Sequence, residues 1–376
     1  MTDEEMMVRA KIAVIPGDGI GPEVVAEGVK ALQKVGNLYG HRFDLSYGVA
    51  GGAAIDRFGT ALPEDTPRLC RRSDAILFGA VGGPKWDDPK SSVRPEQGLL
   101  TLRKGLRLFA NLRPLKVFRQ LKDSTPIKPS ILDGVDMVVV RELTGGLYFG
   151  KPKGRWRSAR GRRAKDSMAY SEEEIKRILR VGFELALKRR RKLTSVDKAN
   201  ILESSRLWRE LALEMSTEYP EVDLDHVLVD ACAMHLIRQP ARFDVIVTEN
   251  TFGDILTDEA SVLAGSMGML PSASLNMNES TRGGRSIKTL GLYEPVHGSA
   301  PDIAGQDKAN PIAMVLSVAM MLRYSFGLDT EAQAIERSVE RVLEEGYRTP
   351  DIMQEGMKLV GTEKMGSLIV ERISSG

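Results

Sequence analysis

Short apolar runs recur along the chain, separated by stretches with a different rhythm. The first spans Ile12 to Ile15, and others lie at Ala75–Phe78, Met137–Val140, Leu193–Val196, Val227–Val229 and Val245–Val247. These runs are continuous rather than alternating, which predicts strands covered on both faces. Most are followed by a loop and then by apolar residues at a helical period, as in Glu172–Lys188 and Ser204–Met215. That alternation predicts an α/β fold, in which ligands gather just beyond the strand ends. The longest apolar segment, Ile312–Leu322, stops at Arg323, well short of the ~20 residues that cross a bilayer. It predicts a buried helix. No internal repeat and no low-complexity linker divides the chain.

The first run enters a glycine turn, Pro16-Gly-Asp-Gly-Ile-Gly-Pro-Glu23, and a helix is expected from about Pro22. Gly17, Gly19 and Gly21 do not have the G-x-G-x-x-G spacing, and no acidic residue closes a second strand, so a Rossmann dinucleotide site is not expected. The turn instead predicts close packing of a helix on its strand.

Composition narrows the class. With 376 residues, 42% of them apolar, the chain can build a sizeable core in one large domain or two modest ones. The 53 basic and 51 acidic residues nearly balance, so no overall field marks the chain for nucleic acid or an anionic membrane. Cys70 and Cys232 stand far apart without a C-x-x-C partner, which argues against a disulfide framework or a thiolate metal site and fits a reducing cytoplasm. Met1 to Lys11 is polar and acidic, without the apolar middle of a secretory signal.

Four groups of residues carry candidate chemistry. As a helix, the segment from Glu96 puts Glu96, Leu99, Leu100 and Arg103 on one face. Such a face matches a small ligand with a carboxylate and an alkyl group, or else is a surface helix with an ordinary ion pair. Arg113 follows where the helix gives way to an extended segment, and Arg141 caps the run Met137–Val140. Three guanidiniums converging without acidic neighbours would need an anionic ligand to neutralise them. Asp254 and Asp258, four apart after the run Val245–Val247, share a helical face that suits Mg²⁺ or Mn²⁺, or that complements a helix dipole. Asp230, after the run Val227–Val229, is a possible third ligand. Lys198 follows a strand that ends the basic stretch Lys188–Lys192; neighbouring positive charge or a metal would disfavour its ammonium and make it a general base, or else it is an ordinary solvated lysine. Tyr148, among the glycines of Thr144-Gly-Gly-Leu-Tyr-Phe-Gly150, is either a packed aromatic or a phenol poised to donate a proton.

In their order and spacing, these segments resemble the isocitrate/isopropylmalate dehydrogenase family of metal-dependent β-hydroxyacid oxidative decarboxylases. The resemblance spans nearly the whole chain. It rests on the glycine turn, Gly79-Ala-Val-Gly-Gly-Pro-Lys-Trp86, Leu99-Leu-Thr-Leu-Arg103, Ala110-Asn-Leu-Arg-Pro114, Val140-Arg-Glu-Leu-Thr-Gly-Gly-Leu-Tyr-Phe-Gly150, Ser195-Val-Asp-Lys-Ala-Asn200, Asp254-Ile-Leu-Thr-Asp258 and Glu294-Pro-Val-His-Gly-Ser-Ala-Pro-Asp-Ile-Ala-Gly305. It implies a two-domain α/β fold that is not a Rossmann fold, with an active-site cleft between the domains. One domain, 1–108 plus 265–376, would bind the cofactor. The other, 109–264, would carry substrate, metal and dimer contacts, with an arm hairpin at about 143–169.

The same resemblance implies NAD-dependent oxidative decarboxylation of an alkylmalate, as in leucine biosynthesis. Arg103, Arg113 and Arg141 would hold the carboxylates, and Asp230, Asp254 and Asp258 a Mg²⁺ or Mn²⁺. Lys198 would take the hydroxyl proton and Tyr148 would protonate the enol carbon. Glu96, Leu99 and Leu100 would line the alkyl pocket, where isocitrate-type relatives carry Ser and Asn. Lys198, Asp230 and Ile201 would come from the partner subunit of a homodimer. Gly82, Gly83, Glu294, His297, Gly298, Ser299, Ala300, Asp302, Ile303 and Asn310 would bind NAD, with Asp302 on the ribose hydroxyls excluding a 2′-phosphate.

Two stretches depart from the family pattern. The arm segment Lys151–Lys165 is unusually basic and includes Trp156, so nucleic-acid binding is the rival to a solvated arm. Asn276–Thr289 is an apparent insertion before the cofactor loop.

Overall fold

The computed structural model describes residues 7–277, 280–282, 285–287 and 289–375, with the two three-residue pieces described by backbone alone. The start of the N-terminal segment and much of the insertion expected at 276–289 therefore lie outside the described residues. The chain forms two compact units, one of residues 1–108, 118–126 and 264–376, the other of 109–117 and 127–263.

In the first unit the strands lie in the order Arg42–Tyr47, Arg9–Gly17, Ala75–Ala80, Gly291–Pro295, Pro271–Leu275. The first four are parallel and the last is antiparallel to its neighbour. All six residues of Ala75–Ala80 are buried, as a continuous apolar run requires of a central strand. The helix Ile312–Phe326 packs on Gly291–Pro295 and Pro271–Leu275 and against the helices Gly21–Tyr39 and Asp329–Glu344, which leaves it with almost no polar face. Among the described residues no helix is long and apolar enough to cross a membrane.

Gly17 and Gly19 adopt φ +75° and +56°, and an added Cβ would come 1.9 Å from the Ala80 carbonyl oxygen and 2.0 Å from that of Ser299. The turn is thus a point of backbone-to-backbone approach, fixed further by the Ile20 N–H donating to Ser299 O at 2.8 Å.

In the second unit the order is Ala110–Lys116, Asp136–Glu142, Val245–Thr248, Lys192–Asp197, Asp223–Leu228, with the first pair antiparallel and the rest parallel. The helix Glu172–Leu187 covers Asp136–Glu142 and Val245–Thr248, and starts at a capping box between Ser171 and Glu174. The helix Asn250–Ser261 begins just past Val245–Thr248, where the Glu249 carboxylate accepts the Phe252 N–H at 2.6 Å.

Three boundaries differ from the sequence expectation. Arg141 lies inside the strand Asp136–Glu142 and does not cap it. The strand expected at Val227–Val229 is Asp223–Leu228, and Val229 already opens the helix Val229–Arg238. The helix carrying Arg103 spans Pro95–Gly105 and ends because Leu106 and Leu108 turn into the core, with Arg107 at φ 56°. The arm is an antiparallel hairpin of Gly154–Ser158 and Gly161–Lys165, exposed throughout except at Ser158.

Candidate active site

A cluster of polar side chains in the second unit gathers where the strands Ala110–Lys116, Asp136–Glu142 and Val245–Thr248 run side by side. Arg141 is the register partner of Thr248 on one side and Asn111 on the other. Arg113, two residues beyond Asn111, projects from the same face of its strand. Arg141 donates through Nη1 to Asp254 Oδ1 at 2.5 Å, and through Nε and Nη2 to Asn250 Oδ1 at 3.0 and 2.7 Å. Arg113 donates to Asn111 Oδ1 at 2.8 Å, Thr257 Oγ1 at 2.5 Å and Asp254 Oδ1 at 3.4 Å, and its Nη1 lies 3.7 Å from Asp258. Arg113 and Arg141 thus converge with an acidic neighbour, Asp254, between them. Helix Asn250–Ser261 starts beside these strands and delivers Asp254 directly to both cations.

Tyr148 joins the cluster from the 3-10 turn Gly146–Tyr148. Its hydroxyl donates to Asp254 Oδ2 at 2.7 Å, and the Arg141 guanidinium carbon lies 5.7 Å from its ring centre. Burial, then the hydrogen bond to Asp254 and the charge on it, pushes the phenol up to about 12. The Asp258 carboxyl is raised by partial burial and by Asp254 one turn away, against the opposing pull of Arg113. A cation between two such carboxylates relieves that repulsion, and an all-oxygen donor pair suits Mg²⁺ or Mn²⁺.

Lys198 stands just past the strand Lys192–Asp197 and donates to Asp230 Oδ1 at 2.7 Å. That hydrogen bond holds the Asp230 carboxyl below its usual range. The basic stretch expected beside Lys198 is elsewhere. Arg189 and Arg190 sit before the opposite end of that strand, where both pair with Asp244 and Arg189 also with Asp136. Ile201 is exposed, and no group of three His, Cys, Asp or Glu side chains that could hold a metal forms among the described residues. Within one chain, then, Asp230 is seated with Lys198.

In the first unit, Arg103 and Glu294 form a buried ion pair through Nη2 and Oε1. Leu99 packs partly on the core around Ile15, Phe78 and Leu102, while Leu100 is half-buried and Glu96 exposed. Gly82 and Gly83 both have positive φ, and a Cβ on Gly82 would come 2.8 Å from Glu96 Oε1. This loop is held by Asp18, whose buried carboxylate accepts the backbone N–H groups of Gly82, Gly52 and Ala53 at 2.9, 2.7 and 2.8 Å.

The loop expected to bind NAD offers an unmet hydrogen-bonding group. His297 Nδ1 is 2.9 Å from the Gly298 carbonyl oxygen, while Nε2 is buried with no partner. Burial holds the imidazole below its ordinary value, so it is neutral, and Nδ1–H donating to Gly298 leaves Nε2 as an acceptor for a ligand N–H or O–H. Gly298 and Asp302 are exposed, Ser299 is buried, and Ala300 and Ile303 are intermediate, with Ala300 at φ 36°. Asn310 is buried, donating to Asp351 and accepting from the Ile312 N–H. These residues fit a dinucleotide's adenosine end.

The family model described as isocitrate/isopropylmalate dehydrogenase matches residues 11–369. The chain belongs to that family. It is 59% identical over 364 residues to 3-isopropylmalate dehydrogenase of Dehalococcoides mccartyi, covering 96% of this chain and 99% of that protein. The 3-isopropylmalate dehydrogenase of Carboxydothermus hydrogenoformans is 57% identical, over 97% and 95% of the two chains. Among solved structures, isocitrate dehydrogenase from Methylococcus capsulatus matches with a TM-score of 0.82 at 37% identity, over 96% of this chain and 99% of that one. A beta-decarboxylating dehydrogenase from Thermococcus kodakarensis matches with a TM-score of 0.74, also at 37% identity, over 98% and 96%.

In this isocitrate/isopropylmalate dehydrogenase-family chain, several polar partners of the candidate residues were not foreseen from sequence. Asn250 and Asp254 are four apart on one helix, and Asn111 and Arg113 two apart on one strand, so spacing alone could have flagged both pairs. Thr257, three residues after Asp254, shares that helical face, whereas the Arg103–Glu294 pair carried no comparable signal.

Proposed function

We propose that the chain catalyses NAD-dependent oxidative decarboxylation of (2R,3S)-3-isopropylmalate to 4-methyl-2-oxopentanoate, a step of leucine biosynthesis, in the cytoplasm. The observation that carries this function is the 54–60% identity, over nearly the full length, to proteins named 3-isopropylmalate dehydrogenase. It is supported by the placement of a protonated phenol and two guanidiniums around Asp254.

Arg103, Arg113 and Arg141 bind the malate carboxylates through charge-assisted hydrogen bonds. Glu96, Leu99 and Leu100, with Ile201 of a second copy, line the alkyl pocket. A third carboxylate, as in isocitrate, would meet only apolar groups at Leu99 and Leu100, which disfavours it. Lys198 of a second copy takes the substrate hydroxyl proton through water, and Tyr148 Oη delivers a proton to the carbon left after loss of carbon dioxide. Asp254 and Asp258, with Asp230 of a second copy, would hold Mg²⁺ or Mn²⁺, and the loop from Glu294 to Asn310, with Gly82 and Gly83, would hold NAD. When bound, the metal supplies Lewis acidity at the hydroxyl and its adjacent carboxylate, and NAD supplies a hydride acceptor.

The test is a substrate panel of 3-isopropylmalate, isocitrate, tartrate and homoisocitrate, crossed with NAD and NADP. We expect the highest kcat/KM for 3-isopropylmalate with NAD. Absence of NADH formation from it, with Mg²⁺ or Mn²⁺ supplied, would overturn the proposal.

A further inference from the structure

Asn250 opens the helix Asn250–Ser261, is 1% exposed, and uses both ends of its side-chain amide. Oδ1 accepts from Arg141 Nε at 3.0 Å and Nη2 at 2.7 Å. Nδ2 donates to the carbonyl oxygens of Leu143 and Gly145, both at 3.1 Å. A carboxamide has two donor hydrogens and two acceptor lone pairs, so its capacity is filled. One end fixes the plane of the guanidinium and leaves Nη1 directed at Asp254. The other end grips the backbone immediately before the turn Gly146–Tyr148 that carries the phenol.

Asn250 is itself immobilised. Its own N–H donates to Tyr170 Oη at 3.0 Å, and Tyr170 Oη donates to Glu249, the residue that caps the helix. The Tyr170 ring also presses on the phenol-bearing turn, since a Cβ on Gly145 would lie 2.5 Å from it. A single side chain, held from three sides, therefore ties an anion-binding cation to a proton donor.

We infer that Asn250 is a positioning residue, which sets the Arg141 guanidinium and the Tyr148 phenol in one fixed geometry. This rests on the roles proposed above for those two residues. Asn250 acts only through them. Asn250→Asp separates its two jobs, because a carboxylate keeps both acceptors for Arg141 but loses both donors to the turn and faces two carbonyl oxygens. Asn250→Ala removes both jobs.

The experiment measures kcat and KM for 3-isopropylmalate in Asn250→Asp and Asn250→Ala, each alone and combined with Tyr148→Phe or Arg141→Lys. Misplacement of a reacting group by about 1 Å costs up to ~100-fold, so Asn250→Ala is expected to raise KM and lower kcat by roughly 10-fold or more each. Asn250→Asp should keep KM within about 3-fold while kcat falls roughly 10-fold, and should cost little further in the Tyr148→Phe background, since coupled residues are non-additive. Unchanged kinetics, or losses that simply add to those of Tyr148→Phe and Arg141→Lys, would overturn the inference. If Asn250→Ala does not fold, Asn250→Ser takes its place.

A second measurement does not depend on turnover. Amide exchange at Gly146, Phe149 and Gly150, whose N–H groups bond to Ala169 and Gly146 carbonyls, should accelerate in Asn250→Asp while the amides of Val245–Thr248 stay protected. Unaltered exchange in the turn would refute the positioning role whatever the activity. A wild-type enzyme that makes no NADH would instead count against the function proposed for the site.

Discussion

Tyr148 keeps its proton far beyond the physiological range because burial and the Asp254 carboxylate both oppose a phenolate. Its pKa is raised to about 12, so the acid form is complete at neutral pH and is lost only as the pH climbs toward that value. A general acid of this kind contributes ~10²–10⁴-fold, so Tyr148→Phe should lower kcat by about that factor and leave KM nearly unchanged. Steady-state kinetics of the two enzymes would show this. A Tyr148→Phe enzyme with undiminished kcat would remove Tyr148 from the chemistry. At this scale the sequence indicated residue types better than their settings. Tyr148 stood out by its glycine neighbours, but Asp254, 106 positions away, is visible only in three dimensions. The basic stretch does not reach Lys198, for a related reason. A strand carries successive residues along its axis, so the basic stretch before it ends up about 20 Å from the residue after it.

Among elements, the loop Gly82–Gly83, the helix Gly52–Phe58 and the glycine turn are joined by one carboxylate, that of Asp18. Asp18→Ala would leave three backbone N–H groups without their acceptor. Each such loss costs about 1–3 kcal/mol, partly recovered by water, so a destabilisation of roughly 2–5 kcal/mol is expected in urea unfolding. The KM for NAD should rise in parallel, because Gly82 and Gly83 lose their anchor. A stable variant with an unchanged KM would show that the anchor is dispensable. Element type was legible where an apolar run was long enough, as at Val245–Val247, which lies within the observed strand Val245–Thr248. Boundaries failed where a polar residue continues a strand, as Arg141 does, or an apolar one opens a helix, as Val229 does. Binary pattern does not encode those exceptions. The acceptor role of Asp18 was hidden as well, since its partners are backbone groups that carry no residue identity.

For the whole molecule, the proposed division of roles between two copies makes a direct prediction. Lys198→Ala and Arg103→Ala chains should each be inactive as homodimers, yet a mixture should regain turnover, because each mixed dimer keeps one complete site. Persistent inactivity after demonstrated subunit exchange would count against sharing.

The first unit also has a consequence for synthesis. Its central strand Ala75–Ala80 is wholly apolar in its surroundings, and one of its two neighbours, Gly291–Pro295, lies more than 200 residues later. At a ribosomal rate of ~5–20 residues per second, that edge waits roughly 10–40 s for its partner, while the second unit, 109–117 and 127–263, is being synthesised. An unpaired apolar strand edge is a template for association. The nascent chain thus passes through its most aggregation-prone interval in mid-translation, and slow codons downstream of residue 108 would lengthen it.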